Sequence, residues 1–264
     1  MTFVRHTKKR WGIDTYEKIG SLIAAEIRLK EIVEFSKYAK NKYVLDVGCG
    51  DKPYEGILKE QAAFYIGIDV PWSYHDVAKA NIFSSADCLP FSDNQFDVIF
   101  CTEVLEHLPD TSLALKEFYR VCKPNGYLFL SVPFLHGIHE SPHDYYRFTR
   151  YGLKYVIEMS GFKPISINPI GEMIAVNITF LVQLLIKVSR AISKVLKIDL
   201  IRNLILNTFF IFFAYLPQKL YLRFYFCACA SSNSLLNRLF KKASFCCLGY
   251  VLIARKTDNI CNNK

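Results

Sequence analysis

Residues 43–50, YVLDVGCG, decide the fold: an apolar, β-branched run closed by Gly48-Cys49-Gly50. Such a run reads as a strand, and glycines placed directly after a strand let backbone N–H groups and a helix N-terminus approach a ligand closely. The same strand pattern returns in FYIGIDV (64–70), FDVIFC (96–101) and GYLFLSVP (126–133). Between the last two, TEVLEHLPDTSLALKEFYRVCKPNG is helical in pattern, with Lys123-Pro124-Asn125-Gly126 expected as its closing turn. Strands apolar on both faces and separated by helices describe a parallel sheet covered on both sides. An amphipathic helix is expected over 15–39, carried by Ile19, Ile23, Ile27, Val33 and Phe35. A second is expected over 149–162, with Thr149 as N-cap and Gly161 as stop, followed by a strand at 163–170 and a last strand at 248–256.

The 264 residues carry a net charge of +9, and its placement argues against nucleic acid. Residues 173–242 hold ten Lys and Arg against the single acid Asp199, so this segment alone accounts for the whole net charge. It is also the most apolar part of the chain, and basic plus apolar points to an anionic membrane surface before a phosphate backbone. Its charge-free stretches, 173–186 and 203–218, are 14 and 16 residues long, short of the ~20 that a spanning helix needs. The expectation is a helical insertion before the last strand, lying in or dipping into the cytoplasmic leaflet, or else capping the site or forming a dimer interface. The expected organisation is therefore an N-terminal helical segment (1–40), a main domain (41–171 and 244–257) and the insertion (172–243). Nine scattered cysteines with no C-x-x-C pair read as reduced thiols in a cytoplasmic setting, peripheral on the membrane face. The start, MTFVRHTKKRW, has no apolar stretch behind its basic residues and reads as a solvated tail.

What the glycine turn holds is constrained by its neighbours. The G-x-x-x-x-G-K-[ST] loop is absent, and a dinucleotide G-x-G-x-x-G would need glycine where Pro53 stands. Asp46, two residues before Gly48, would repel a pyrophosphate and favour a cationic ligand such as S-adenosylmethionine, which has a sulfonium and no phosphate. Asp69 ends the second strand where an acid accepts both hydroxyls of a ribose, or else is a strand-end turn residue. Asp87 lies where it could accept from an adenine amino group, or on a plain surface loop.

VLDVGCG, IGIDV, ADCLPFSDNQFDVIFCTEVLEHLPD and LKEFYRVCKPNGYLFLSVP, in this order, resemble the successive motifs of class I S-adenosylmethionine-dependent methyltransferases of the type 11 group. The resemblance spans about residues 40–170 and, with the strand at 248–256, implies a Rossmann-like seven-stranded α/β sheet with helices on both faces and an antiparallel last strand. It implies S-adenosylmethionine as cofactor, with the glycine turn under the methionine moiety, Asp69 on the ribose and Asp87-Cys88 beside the adenine. His107, in EVLEHLPD, recurs in that family beside the cofactor, and its other reading is a capping or core histidine. The cofactor set so expected is Asp46, Gly48, Cys49, Gly50, Asp69, Asp87, Cys88, Cys101 and His107. The chain departs from the family at Lys52, where a third glycine is usual; a lysine there could point to solvent.

Methyl transfer needs positioning and exclusion of water, and a base if the acceptor is a hydroxyl. The place to look is the loop after the fifth strand, VPFLHGIHESPHDYYRFT (132–149), with His136, His139, Glu140, His143, Asp144 and Arg147. One reading is an acceptor site with His139, His143 and Asp144 as catalytic residues; another is structural, with Arg147 paired to Glu140 or Asp144. A metal set is not expected, because two prolines interrupt the histidines. HESPHDYYRFT resembles a loop of methyltransferases associated with cell-surface polysaccharide and glycolipid synthesis, which implies a small-molecule or lipid-linked glycan acceptor. The competing functions are a nicotinamide-dependent oxidoreductase, opposed by Pro53 and Asp46, and an inactive membrane-bound assembly factor.

Overall fold

The computed structural model describes residues 21–195, 215–227 and 246–257, and every statement below concerns these. The basic N-terminal tail, the first residues of the expected leading helix and most of the 203–218 stretch lie outside them. The chain packs as two units, one formed by Arg28–Ile170 with Gly249 onward and the other by the chain up to Ile27 with Gly171–Leu248.

The first unit holds one seven-stranded sheet. Its strands are β1 (Tyr43–Val47), β2 (Phe64–Asp69), β3 (Ile82–Phe83), β4 (Phe96–Thr102), β5 (Cys122–Pro133), β6 (Phe162–Ile170) and β7 (Gly249–Lys256), in the spatial order β3-β2-β1-β4-β5-β7-β6. All neighbours run parallel except β7, which is antiparallel to both β5 and β6. The β1 run pairs Leu45 with Ile66 on one side and with Ile99 on the other, and Val44, Leu45 and Val47 are buried. A strand buried on both faces has no polar side to alternate, which is why its sequence reads as a continuous apolar run.

The connecting helices are α1 (Leu22–Phe35), α2 (Glu55–Lys59), α3 (Thr111–Val121) and α4 (Arg150–Met159). In α1 the buried place falls to Ile32, while Val33, expected on the apolar face, is 40% exposed. The segment between β4 and β5 is not one helix. Pro109 has no N–H to give and disfavours helix before it, so a 3-10 turn, Leu105–His107, stands apart from α3. Asp110 then caps α3, its carboxylate accepting from Ser112 N at 2.9 Å. Residues 123–126, expected as a turn, lie within β5 as an irregularity: pairing steps from Phe96↔Cys122 to Val98↔Tyr127, with Asn125 at φ 62°. Thr149 caps α4 by accepting from Gly152 N, and Gly161 ends it at φ 92°.

The core beneath the helix-covered face is aromatic. Phe35 of α1 sits 4.8 Å, centroid to centroid, from Phe129 of β5, and Phe129 stacks at 4.9 Å on Phe100 of β4. All three are fully buried. In the second unit, α5 (Met173–Val195) and a helix α6 over residues 215–227 carry the described part of the expected insertion. Among the described residues no helix is long and apolar enough to cross a membrane. Replacing Phe100 by Ala should cost about 3–5 kcal/mol, whereas Trp72→Ala, at 73% exposure, should stay within about 0.5 kcal/mol. Urea unfolding of the two variants checks both.

Candidate active site

The carboxyl ends of β1, β2, β4 and β5 lie along one edge of the sheet, and the loops leaving them meet there. That edge is where ligands of open α/β sheets bind. The turn after β1 follows a left-handed backbone at Gly48 (φ 67°), Gly50 (φ 48°) and Lys52 (φ 57°). At Gly48 a Cβ would lie 2.2 Å from Val104 Cγ2, so this glycine lets the turn pack on the segment after β4. At Gly50, a buried residue, a Cβ would touch the His75 side chain at 3.4 Å, an ordinary contact, so here the left-handed backbone and not crowding is what asks for glycine. Asp69 Oδ2 accepts from Gly50 N at 2.7 Å, and its Oδ1 accepts from Val70 N at 2.7 Å. Each oxygen keeps lone-pair capacity beyond its one bond, so the carboxylate can still take a hydroxyl pair. Asp87 and Cys88 are exposed, in the loop that leads from β3 back toward β4.

The residues of the turn that are not glycine differ from expectation. Lys52 does not reach solvent: it is 3% exposed, and its stem crosses Gly67, where a Cβ would lie 2.6 Å from Lys52 Cε. Its ammonium donates to Asn81 Oδ1, which also accepts from Gly67 N at 2.9 Å, and lies 5.4 Å from the Tyr65 ring centroid. Asp46 is likewise not a free anion facing a ligand. It is buried, accepts a hydrogen bond from the Tyr65 hydroxyl, and has Lys52 close enough to act on its charge. Burial pushes its pKa up to about 7 against the opposing pull of Tyr65 and Lys52. The argument that Asp46 repels a diphosphate therefore loses its footing, and selection falls to the backbone of the turn and to Asp69. Cys49 is buried with its thiol raised to about 12 by burial, and Cys101 is buried with its thiol also raised; both are packing groups.

The loop after β5 closes over this edge. Asp144 is gripped bidentately by Arg147, with Nη1 to Oδ1 and Nη2 to Oδ2 both at 2.6 Å, and its Oδ2 also accepts from His139 N at 3.0 Å. The Arg147 bonds hold its carboxyl well below the usual carboxylate range. Expected among the catalytic groups, Asp144 is placed as a strut, a weak base whose oxygens are already committed. The rings of His107 and His139 stand 4.8 Å apart, and those of His136 and His139 4.9 Å apart. His139 has its pKa lowered, first by burial and then by His136. His143 stands away from these rings, exposed, with Nδ1 3.2 Å from the Tyr145 hydroxyl.

Several residues at this edge escaped the sequence reading. His75 links the glycine turn to the loop after β5, its Nε2 lying 3.1 Å from Glu140 Oε1. Glu106 is wholly buried in the 3-10 turn, and neither of its carboxylate oxygens has a hydrogen-bond partner among the described residues. Glu103 adopts φ 54°, accepts from Ser131 Oγ at 2.9 Å, and pairs with Arg28 at 3.3 Å. The one signal available was the pair of glutamates flanking the apolar step in EVLEH, which by itself reads as an exposed helix face. A cavity of about 560 Å³ lined by Tyr38, Tyr127, Lys163 and Arg255 opens at the opposite, amino edge of the sheet. It is remote from all of these groups.

Residues 45–130 match the family model described as a methyltransferase domain. The matched residues carry a methyltransferase domain. The chain is 37% identical over 116 residues to the ubiquinone biosynthesis O-methyltransferase of Coxiella burnetii, covering 40% of this chain and 49% of that protein. The chain thus spans about half the length of the curated relatives it matches. Among solved structures it is similar to the [4+2]-cyclase SpnF, with a TM-score of 0.54 and 19% identity over 88% of this chain and 81% of that one. It is also similar to YcgJ from Bacillus subtilis, with a TM-score of 0.51 and 16% identity over 88% and 98% of the two chains. At these identities the structural likeness concerns the fold, and one of the two neighbours is titled a cyclase, so chemistry must be argued from the site. Domains of this class use S-adenosylmethionine. The turn fits that cofactor through the hydroxyl-accepting capacity of Asp69, whose carboxylate is held in place by Gly50 N.

Two outcomes follow for this domain. Gly48→Ala should lower stability by about 2–4 kcal/mol through left-handed strain and the Val104 overlap, while Gly56→Ala, with nothing within 4 Å, should raise it by about 0.5–1 kcal/mol. Thermal melts read both. Because the folded pKa of Asp46 is raised to about 7, its contribution to stability is complete below the ordinary carboxylate range of about 4 and is lost as pH rises through 7. Asp46→Asn should flatten the fall in stability over that window by roughly 2–4 kcal/mol, measured by denaturant titration at successive pH values.

Proposed function

We propose that the protein transfers a methyl group from S-adenosylmethionine to a hydroxyl oxygen of a glycan or lipid-linked acceptor. The observation that carries the methyl-transfer reading is Asp69 at the end of β2, whose carboxylate accepts from Gly50 N at 2.7 Å and keeps lone pairs suited to the hydroxyls of a ribose. The O-methyltransferase relatives support an oxygen acceptor. Beside the turn, the loop after β5 offers imidazoles, a guanidinium and the half-exposed rings of Tyr145 and Tyr146, groups that suit hydroxyls and the apolar faces of sugar rings. The apolar side chains of Ile174, Leu181 and Leu184 on α5 and of Leu220 and Phe224 on α6 are exposed among the described residues, which supports a lipid-bearing acceptor met at a membrane surface.

The bound cofactor supplies an electrophilic methyl on a sulfonium. The work left to the chain is to hold the acceptor in line, exclude water and remove one proton. Asp69, steadied by Gly50 N, would hold the adenosine end through its ribose. His143 is the base: its Nδ1 lies 3.2 Å from the Tyr145 hydroxyl, and in the tautomer that donates to that hydroxyl Nε2 carries the lone pair that takes the acceptor proton. Asp144, through Arg147 and His139 N, keeps the loop shaped around it.

Asp69→Ala should weaken S-adenosylhomocysteine binding by at least about tenfold in calorimetry, from the loss of charge-assisted bonds. His143→Ala should leave that binding intact and reduce turnover by about 100-fold or more. Mass spectrometry of lipid and glycan extracts incubated with protein and S-adenosylmethionine should show a product heavier by one methyl group. If wild-type protein binds NADH and not S-adenosylhomocysteine, the proposal fails.

A further inference from the structure

Glu106, His107 and His139 bring one donor atom each to within 4.8 Å of one another, at the edge where the loops after β4 and β5 meet. We propose that they bind a divalent transition metal of the zinc class, with Glu140 as a fourth donor. The sequence did not lead to this set, because it comes from two loops and not from one spaced motif.

Four observations carry it. First, Glu106 is a wholly buried carboxylate without a hydrogen-bond partner for either oxygen among the described residues. A buried carboxylate left that way is costly, and a cation is what commonly settles such a group. Second, the other donors crowd His107 Nε2: Glu106 Oε1 lies 3.8 Å and Glu140 Oε2 3.7 Å away. Metal bonds of about 2.0–2.2 Å place tetrahedral neighbours about 3.3–3.6 Å apart, so these contacts need to close by only a few tenths of an ångström.

Third, the histidines are held from behind, His107 in the manner of a metal ligand. Its Nδ1 faces the carbonyl of His143 at 2.5 Å. A carbonyl only accepts, so Nδ1 of His107 is the protonated nitrogen and its Nε2 bears the lone pair. His139 Nδ1 faces the carbonyl of Gly137 and Asp144 Oδ2, each at 3.3 Å, and the donor Arg147 Nη2 at 3.4 Å, which fixes the ring while leaving either nitrogen able to carry the proton. Fourth, the neighbouring arginines are already spent. Arg28 is paired with Glu103 at 3.3 Å and Arg147 with Asp144 at 2.6 Å. Glu106 and Glu140 are left as the two carboxyl groups that face His107. Glu140 itself sits at φ 52°, a backbone position that a non-glycine residue keeps only when something holds it.

Two histidines and two carboxylates fill a tetrahedral shell, and without Glu140 the remaining three ligands leave one position open, as in sites that bind a further oxygen. The geometry stands independently of the methyl-transfer reading, so the test is binding of the metal itself. The full chain, stripped with a chelator, is titrated with Co²⁺ under visible absorption and with Zn²⁺ in a calorimeter. One equivalent should bind, with the Co²⁺ bands of a low-coordinate nitrogen–oxygen site. Glu106→Gln and His139→Ala should each weaken binding at least about tenfold, while His143→Ala, whose ring lies outside the set, should bind as the wild type does. Circular dichroism checks that each variant folds. Should Glu106→Gln not fold, His139→Ala, a loop substitution, decides alone. No saturable binding by folded wild type, or unchanged binding in a folded ligand variant, overturns the proposal.

Discussion

The hydrogen bond from Gly50 N to Asp69 Oδ2 ties the end of β1 to the end of β2, and the site is arranged around it. It exists because the chain turns left-handed at Gly48 and Gly50, which aims the Gly50 N–H sideways at the next strand and not forward along the chain. Only a residue without a Cβ reaches that conformation cheaply, and at Gly48 the Val104 side chain already occupies the space a Cβ would need. One bond thereby sets the height of the turn, the direction of the Asp69 carboxylate and the seat on which the segment after β4 rests.

Beneath that turn lies a second, buried layer that an ordinary glycine-rich loop would lack. Lys52 takes a left-handed position and sends its stem across Gly67 into the sheet, where its ammonium meets Asn81 and the Tyr65 ring. Asp46 and Tyr65 complete the group. Lys52 offsets only part of the cost of burying Asp46, whose pKa stays raised to about 7 by burial. The third glycine is dispensable here because the space above Gly67 that it would have left open is filled from within the protein. The loop after β5 follows the same logic, since Arg147 and Asp144 spend their charges on each other and leave the Glu106 oxygens without a hydrogen bond among the described residues.

Much of the sheet was legible because its strands are parallel and buried on both faces, so that burial writes itself into a continuous apolar run. The helix between β4 and β5 was misjudged because periodicity survives across Pro109 even though the backbone cannot, and the Asp110 cap marks the true start. The turn at 123–126 was read correctly in chemistry and wrongly in context: Pro124, Asn125 and Gly126 bend the chain within a strand edge, not between elements. At the site, Gly48, Gly50 and Asp69 were found because each follows directly from strand ends and turn chemistry. Glu106, Glu140 and His75 were not, since nothing in their local sequence separates a buried acid or a bridging imidazole from a solvated one.

The sequence by itself determined the order of the strands along the chain, the place of the glycine turn and the supply of histidines in the loop after β5. These depend on local preferences and on burial, which act on residues close in the chain. Tertiary structure alone decided which charges are spent and which remain. Asp46 lost its exposure to Tyr65 and Lys52, Asp144 was taken by Arg147, and Glu106 was carried into the interior beside His107 and His139 with no hydrogen-bond partner among the described residues. Electrostatics and burial depend on distance in space, and three segments separated in the chain reach one edge only when a parallel sheet stacks their strand ends together.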